Sequence, residues 1–269
     1  MKKPVIATAV VFLTFGLAVA GAQRGATAPR AQTPAAPAYT GPRTPDKKPD
    51  LNGIWQVLST AHWNLEPHSA SEGVPAGLGV VEGGVIPYQP AALAKRNENF
   101  QKRLVADPLR KCYLPGVPRA TYLPFPFEIT QTPKHIGFAY EFAHATRTIF
   151  MDGTPHMVDL DFWMGDGRGR WEGDTLVVDT VSLGEQTWFD QAGNFHSDAL
   201  HVVERFTPID ATHMNYEVTL EDPKVYTRPW KMNMTIYRRL ERGAQLFDYD
   251  CVSFFWRKMF SETSAGGPK

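Results

Sequence analysis

HVVERFTPIDATHMNYEVTLEDPKVYTRPWKMNMTIYRRL, residues 201–240, decides the fold. Three runs within it, 201–207, 213–220 and 230–240, alternate apolar and polar side chains. A period of two is how a half-buried β-strand reads. Outward from this stretch the same pattern recurs at 127–132, 135–142, 146–151, 175–183 and 245–252, and a further run at 51–58 opens the series. Thr-Pro-Lys, Asp-Gly-Thr-Pro, Glu-Gly-Asp, Thr-Pro-Ile-Asp and Glu-Arg-Gly separate the runs. These are turn compositions, because Gly and Asp tolerate the required backbone angles and Pro presets one of them. About nine strands joined in series by mostly short links predict a mainly β fold, an antiparallel barrel or curled sheet. One short helix is predicted at 90–105, where Leu93, Phe100 and Leu104 alternate with Lys, Arg, Asn and Gln. Residues 62–87 and 107–125 read as long loops. Gly165-Asp166-Gly167-Arg168-Gly169 reads as a flexible turn; no helix follows it, so it is no phosphate cradle.

Leu51-Asn52-Gly53-Ile54-Trp55 opens the folded part. Gly-x-Trp on a first strand resembles the start of lipocalin-type barrels. That resemblance implies a Trp closing one end beneath an Arg from a late strand, here Arg238 or Arg239. The alternative is an ordinary buried Trp.

The ends of the chain are of another kind. Lys2 and Lys3 precede an uncharged apolar run at 4–20, followed by Ala18-Val19-Ala20 and Ala20-Gly21-Ala22. That layout predicts a cleaved secretory signal peptide over 1–22, since a run of roughly 17 residues is at the short edge for spanning a bilayer. Residues 23–50 are rich in Ala, Pro, Thr and Arg and predict a disordered linker. Residues 51–260 form a single β domain in this reading, and 261–269 a disordered tail. The expected location is periplasmic or secreted, with no integral membrane segment after cleavage. The chain has 28 basic and 28 acidic residues, so loss of Lys2 and Lys3 leaves a net charge of −2. Such a balance gives no general attraction for nucleic acid. The two cysteines, Cys112 and Cys251, predict one disulfide in an oxidising compartment, the alternative being two separate buried thiols.

Several stretches resemble an uncharacterised family of secreted bacterial proteins. They are residues 107–119, the segment GRWEGDTLVVDT at 169–180, residues 196–206 and residues 221–230. The resemblance spans most of the folded domain and implies secretion, but no activity. It fails after Cys251, where Val-Ser-Phe-Phe-Trp-Arg-Lys replaces the family's acidic, Asn-containing stretch.

Candidate site residues follow from face alternation. Glu204 falls in the apolar row of Val202 and Phe206, and Arg238 in the row of Trp230, Met232, Met234 and Ile236. Asp179 falls between Val177 and Val181. An unpaired buried charge costs several kcal/mol, so Glu204 and Arg238 are expected inside, paired with each other or with a similar partner. Trp55, Met232 and Met234 would then wall an apolar pocket, and Arg147, Asp179, Glu204 and Arg238 would supply its polar groups. Glu141 and His144 beside Arg147, and Asp190 and His196 in the loop before 201, are acid–base candidates. No metal-ligand spacing, nucleophile elbow or cofactor motif is present in the sequence. Neither a metal nor another cofactor is therefore expected. Two functions fit: a small, largely apolar or aromatic ligand bound in the barrel, or a cofactor-independent hydrolase, lyase or isomerase acting at the barrel mouth. The sequence leaves open whether the protein is an enzyme.

Overall fold

The computed structural model describes residues 39–252. The expected signal peptide, the linker up to residue 38 and the expected tail lie outside the described residues. Nine strands close into a barrel in sequence order: β1 (Gly53–Val57), β2 (Phe127–Gln131), β3 (His135–Tyr140), β4 (Thr146–Phe150), β5 (Asp166–Glu172), β6 (Thr175–Val181), β7 (His201–Pro208), β8 (His213–Glu221) and β9 (Trp230–Arg238). β9 pairs back onto β1 antiparallel, Trp55 opposite Arg238. Helix α1 (Pro90–Ala106) and the single turn α2 (Arg119–Tyr122) lie between β1 and β2. Among the described residues no helix is long and apolar enough to cross a membrane.

The mainly β barrel matches the expectation, with two corrections. Residues 245–252, expected as a strand, run along the rim with a single parallel bridge from Tyr249 to Phe142. Their place in the count is taken by β5, whose Gly-rich start had read as a turn. β5 is also the exception to antiparallel order, because it pairs parallel with β4, Ile149 opposite Gly167. Glycine serves close approach here: a Cβ on Gly169 would meet the Met151 Sδ and Ile149 Cγ2. The helix prediction holds in place but not in its buried face. Leu93 and Leu104 are exposed, and Ala92 and Asn99 are buried instead. Asn99 donates to the Gly193 carbonyl at 3.1 Å, so a polar contact docks α1. Residues 39–50, expected as linker, lie on the barrel. Tyr39, the one large ring of that segment, is buried, and Arg43 pairs with Asp174 at 2.7 Å.

One end of the barrel closes on Trp55. Its indole donates to the Leu51 carbonyl at 2.8 Å, and the Arg238 guanidinium lies 4.3 Å from the ring centroid. Arg238 also donates to the Asn52 and Asp50 carbonyls. Gly53 is required beneath it: its φ is +121°, and a Cβ there would sit 2.9 Å from Arg238 Nη1.

The interior is filled by alternate side chains, among them Phe127, Phe138, Phe206, Val218, Met232 and Ile236. A polar cluster sits among them. Arg147 on β4 donates to Glu204 on β7 through two bonds of 2.6 and 3.0 Å. Tyr216 donates to the same carboxylate at 2.6 Å, and the Phe138 ring lies under the guanidinium at 4.6 Å. Glu204 is thus inside and paired, with Arg147 as its partner and not Arg238. Asp179 is not inside. β6 is apolar on both rows, so alternation alone does not orient it. The register does: Val178 faces Glu204, and Asp179 faces Val203 on the outward row. Asp179 instead accepts from His156 at 3.1 Å and His201 at 2.9 Å on the outer wall.

Breaking a buried ion pair on one side costs about 3–5 kcal/mol, whereas replacing both partners with apolar side chains is often neutral. Glu204→Leu is therefore expected to lose about 3–5 kcal/mol in urea unfolding, and Arg147→Met with Glu204→Leu to recover most of it. A double variant as weak as the sum of the single ones would contradict this account of the core.

Candidate functional site

The residues singled out from sequence do not gather at one place. Trp55, Met232 and Met234 are buried members of the barrel's hydrophobic core. Arg147 and Glu204 pair with each other within that core through the two guanidinium Nη groups. Arg238 is spent on closing it, and Asp179 lies outside it.

The four acid–base candidates serve as joints between loops. Glu141 accepts from the backbone N–H of Phe247 at 2.9 Å. His144, exposed, meets the Asp250 carboxylate at 2.9 Å. Both therefore hold the segment 245–252 on the rim. Asp190 accepts from the N–H groups of Leu65 at 2.8 Å and Asn194 at 3.1 Å, and from the Asn194 side chain. It ties the loop after β1 to the loop before β7. Burial pushes its carboxyl up to about 6, against those hydrogen bonds. His196 has both ring nitrogens engaged. Nδ1 donates to the Ser197 carbonyl at 2.8 Å, and Nε2 accepts from the Thr187 hydroxyl at 2.7 Å. Burial lowers its pKa.

A site that the sequence reading missed lies at the rim. A pocket of about 160 Å³ opens there, lined by His62, Asp107, Leu123, Phe125, Phe142 and Tyr249 among others. Its aromatic wall is built from three rings. Phe125 lies 5.7 Å from Phe142 and 4.6 Å from Tyr249, and Phe142 lies 5.4 Å from Tyr249. Phe125 ends the loop before β2, Phe142 starts the β3–β4 turn, and Tyr249 comes from the segment that Glu141 and His144 hold down. Covalent chemistry fixes the same wall. Cys112, just after the short helical turn that carries Leu109, is disulfide-bonded to Cys251, two residues beyond Tyr249. The disulfide expected from the cysteine count is thus present.

His62 is the polar feature of this pocket. It is 5% exposed, and its Nδ1 is buried without a hydrogen-bond partner. Burial, helped by the positive Arg119, pushes its pKa down to about 3, with Asp107 opposing. The ring is therefore neutral at ordinary pH. Asp107 is fully occupied: it accepts from Arg119 through bonds of 2.9 and 2.7 Å and from the Leu109 N–H at 3.0 Å. Nothing in the sequence marks His62, which stands between Ala61 and Trp63 in a long loop. Its signal appears only when the loop folds back and Gln191 donates to the His62 carbonyl at 2.9 Å. A wider pocket of about 410 Å³ shares Arg110 and Gln191 with this one, but residues 69–73 of its wall are exposed.

Among the described residues no group of three or more His, Cys, Asp or Glu side chains is arranged to hold a metal ion. In comparison with known proteins, the chain matches no family model and no curated protein.

Two buried groups give the fold opposing pH dependences. The Asp190 carboxyl is raised to about 6, above its unfolded value of about 3.9. Its contribution to stability is present below about 4 and is lost as pH rises through about 6. His62 is lowered to about 3, while the unfolded ring protonates near 6.5. Falling pH therefore favours the unfolded chain below about 6.5. His196, lowered in the same direction, adds to the His62 effect. Asp190→Asn is expected to steepen the loss of stability between pH 7 and pH 5, and His62→Gln to flatten it, in urea midpoints measured across pH. Wild-type slopes in both variants would refute the assignment.

Proposed function

We propose that this is a periplasmic or secreted binding protein for a small, largely apolar or aromatic ligand, and that the ligand sits in the rim pocket at His62. The observation that carries the reading is a pocket walled by a cluster of three rings, Phe125, Phe142 and Tyr249, beside Leu123 and Pro124, with His62, Asp107, Arg110 and Gln191 as its polar members. Small-molecule sites combine apolar walls with a few placed polar groups. The disulfide and the N-terminal sequence pattern support export, as does the resemblance to secreted bacterial proteins. The Gly53–Trp55–Arg238 arrangement supports a lipocalin-like origin for the barrel, although the parallel β4–β5 pair departs from an up-and-down order.

The catalytic alternative draws no support from the geometry. Glu141, His144, Asp190 and His196 are each engaged elsewhere, at separate points of the rim and loops.

The test is to identify by mass spectrometry what co-purifies from the native host, and to map its position by NMR. Methionine methyl and aromatic ring signals of the labelled protein report on the two places a ligand could lie. Signals of Phe125, Phe142 and Tyr249 are expected to move on ligand addition, while the Met232 and Met234 methyls stay in place. Movement confined to Met232 and Met234 would put the ligand in the barrel interior and overturn the reading.

A further inference from the structure

We infer that a second, open pocket, lined by Tyr113, Phe162, Trp163 and Asp161, binds an alkylated ammonium ion of the choline type. This pocket has no lining residue in common with the rim pocket. The inference therefore stands whether or not the rim pocket holds a ligand.

The rings come first. The pocket measures about 380 Å³, and three of its six lining residues are aromatic, with Gly184 and Gln186 completing the set. That volume lies above the roughly 300 Å³ at which small-molecule sites begin. The Tyr113 and Trp163 rings stand 4.9 Å apart and are tilted by 56°, so they form a corner and not a flat stack. Trp163 is 39% exposed and Tyr113 37%, which leaves ring surface for a ligand. The negative face of an aromatic ring attracts a cation, and quaternary ammonium ions are recognised in this way.

The corner is set before any ligand arrives. Phe162 donates its N–H to the Ser182 carbonyl at 2.8 Å and accepts from the Gly184 N–H at 3.2 Å. Tyr113 follows the disulfide-bonded Cys112, and its N–H donates to the Pro108 carbonyl at 3.2 Å. Gln186 lies across Gly184, where a Cβ would sit 2.6 Å from its Oε1. Rings fixed by backbone bonds need little further ordering on binding.

Charge decides the class. Asp161 is the one charged residue among the six. Among the described residues its carboxylate has no ion-pair or hydrogen-bond partner. An anion is repelled there, and a cation gains both the carboxylate and the ring faces. Lys111 opposes this from outside the lining, its Nζ 5.9 Å from the Tyr113 ring centroid. It is exposed, so water and salt screen it. A primary ammonium is strongly hydrated and has three N–H donors to satisfy. An alkylated one presents its charge on apolar surface and loses less on leaving water.

The experiment compares choline with its uncharged carbon isostere, 3,3-dimethylbutan-1-ol, on the full disulfide-bonded protein. Calorimetry gives the affinities, and the indole N–H signal of Trp163 gives the place. Choline is expected to bind about tenfold tighter than the isostere and to move that signal, with the advantage shrinking as salt is added. Trp163→Leu and Asp161→Asn are each expected to cut the choline advantage severalfold, and Lys111→Gln to raise it. Vesicles of phosphatidylcholine distinguish the source: retention of the protein, reversed by choline, assigns a lipid headgroup, and choline binding without retention assigns the free ion. Equal binding of choline and the isostere would overturn the inference. So would an advantage untouched in Trp163→Leu, or choline binding that leaves the Trp163 signal in place. Should a variant fail to fold, the wild-type comparison and the Trp163 signal decide.

Discussion

Arg147 and Glu204 meet inside the closed barrel through two hydrogen bonds, and the use of the interior follows from that meeting. Two charges in a low-dielectric core are tolerated only when each saturates the other and the remaining lone pairs are occupied. Tyr216 takes one of those lone pairs, and the Phe138 ring covers the guanidinium face. Side chains around the cluster fill the rest, from Trp55 and Arg238 at the closed end to Met232 and Val218 further along. The barrel works as a scaffold around a paired polar centre, in which the Arg147 Nε alone of the guanidinium nitrogens has no hydrogen-bond partner. The pocket proposed for a ligand lies among the loops at the rim.

Those loops are long, and they are fixed by specific chemistry. Arg119 and Asp107 form a buried ion pair at 2.7 Å beneath the pocket. Asp190 bolts the loop after β1 to the loop before β7, and the Cys112–Cys251 bond fastens the last described segment next to Tyr249. Closing a loop with a sequence separation of 139 residues stabilises the fold by about 5 kcal/mol in the chain-entropy model. The pocket at His62 is thus assembled from five chain segments distant in sequence, at 62, 107–125, 142, 191 and 249.

The sequence made the strands legible and the site not. β7, β8 and β9 announce themselves because one face is buried and the other is wet, so period-two alternation survives. β5 was hidden because its first residues are Gly-rich for close approach to Ile149 and Met151, which in sequence is the composition of a turn. Asp179 was misplaced because both rows of β6 are apolar and only the pairing with β7 fixes its face. The candidate pairs Glu141 with His144 and Asp190 with His196 stood out as dense ionisable residues. Loop joints and reactive sites draw on the same residue types, so density alone does not separate them. His62 carried no pattern at all. Its character comes from burial against Asp107 and Arg119, residues some 45 to 57 positions away in a separate loop and helical turn.

The most direct measurement is the position of a bromine atom. In crystals soaked with bromobenzene, the anomalous signal should place the ring among Phe125, Phe142 and Tyr249. A bromine peak inside the barrel between Trp55 and Met234 would contradict the account.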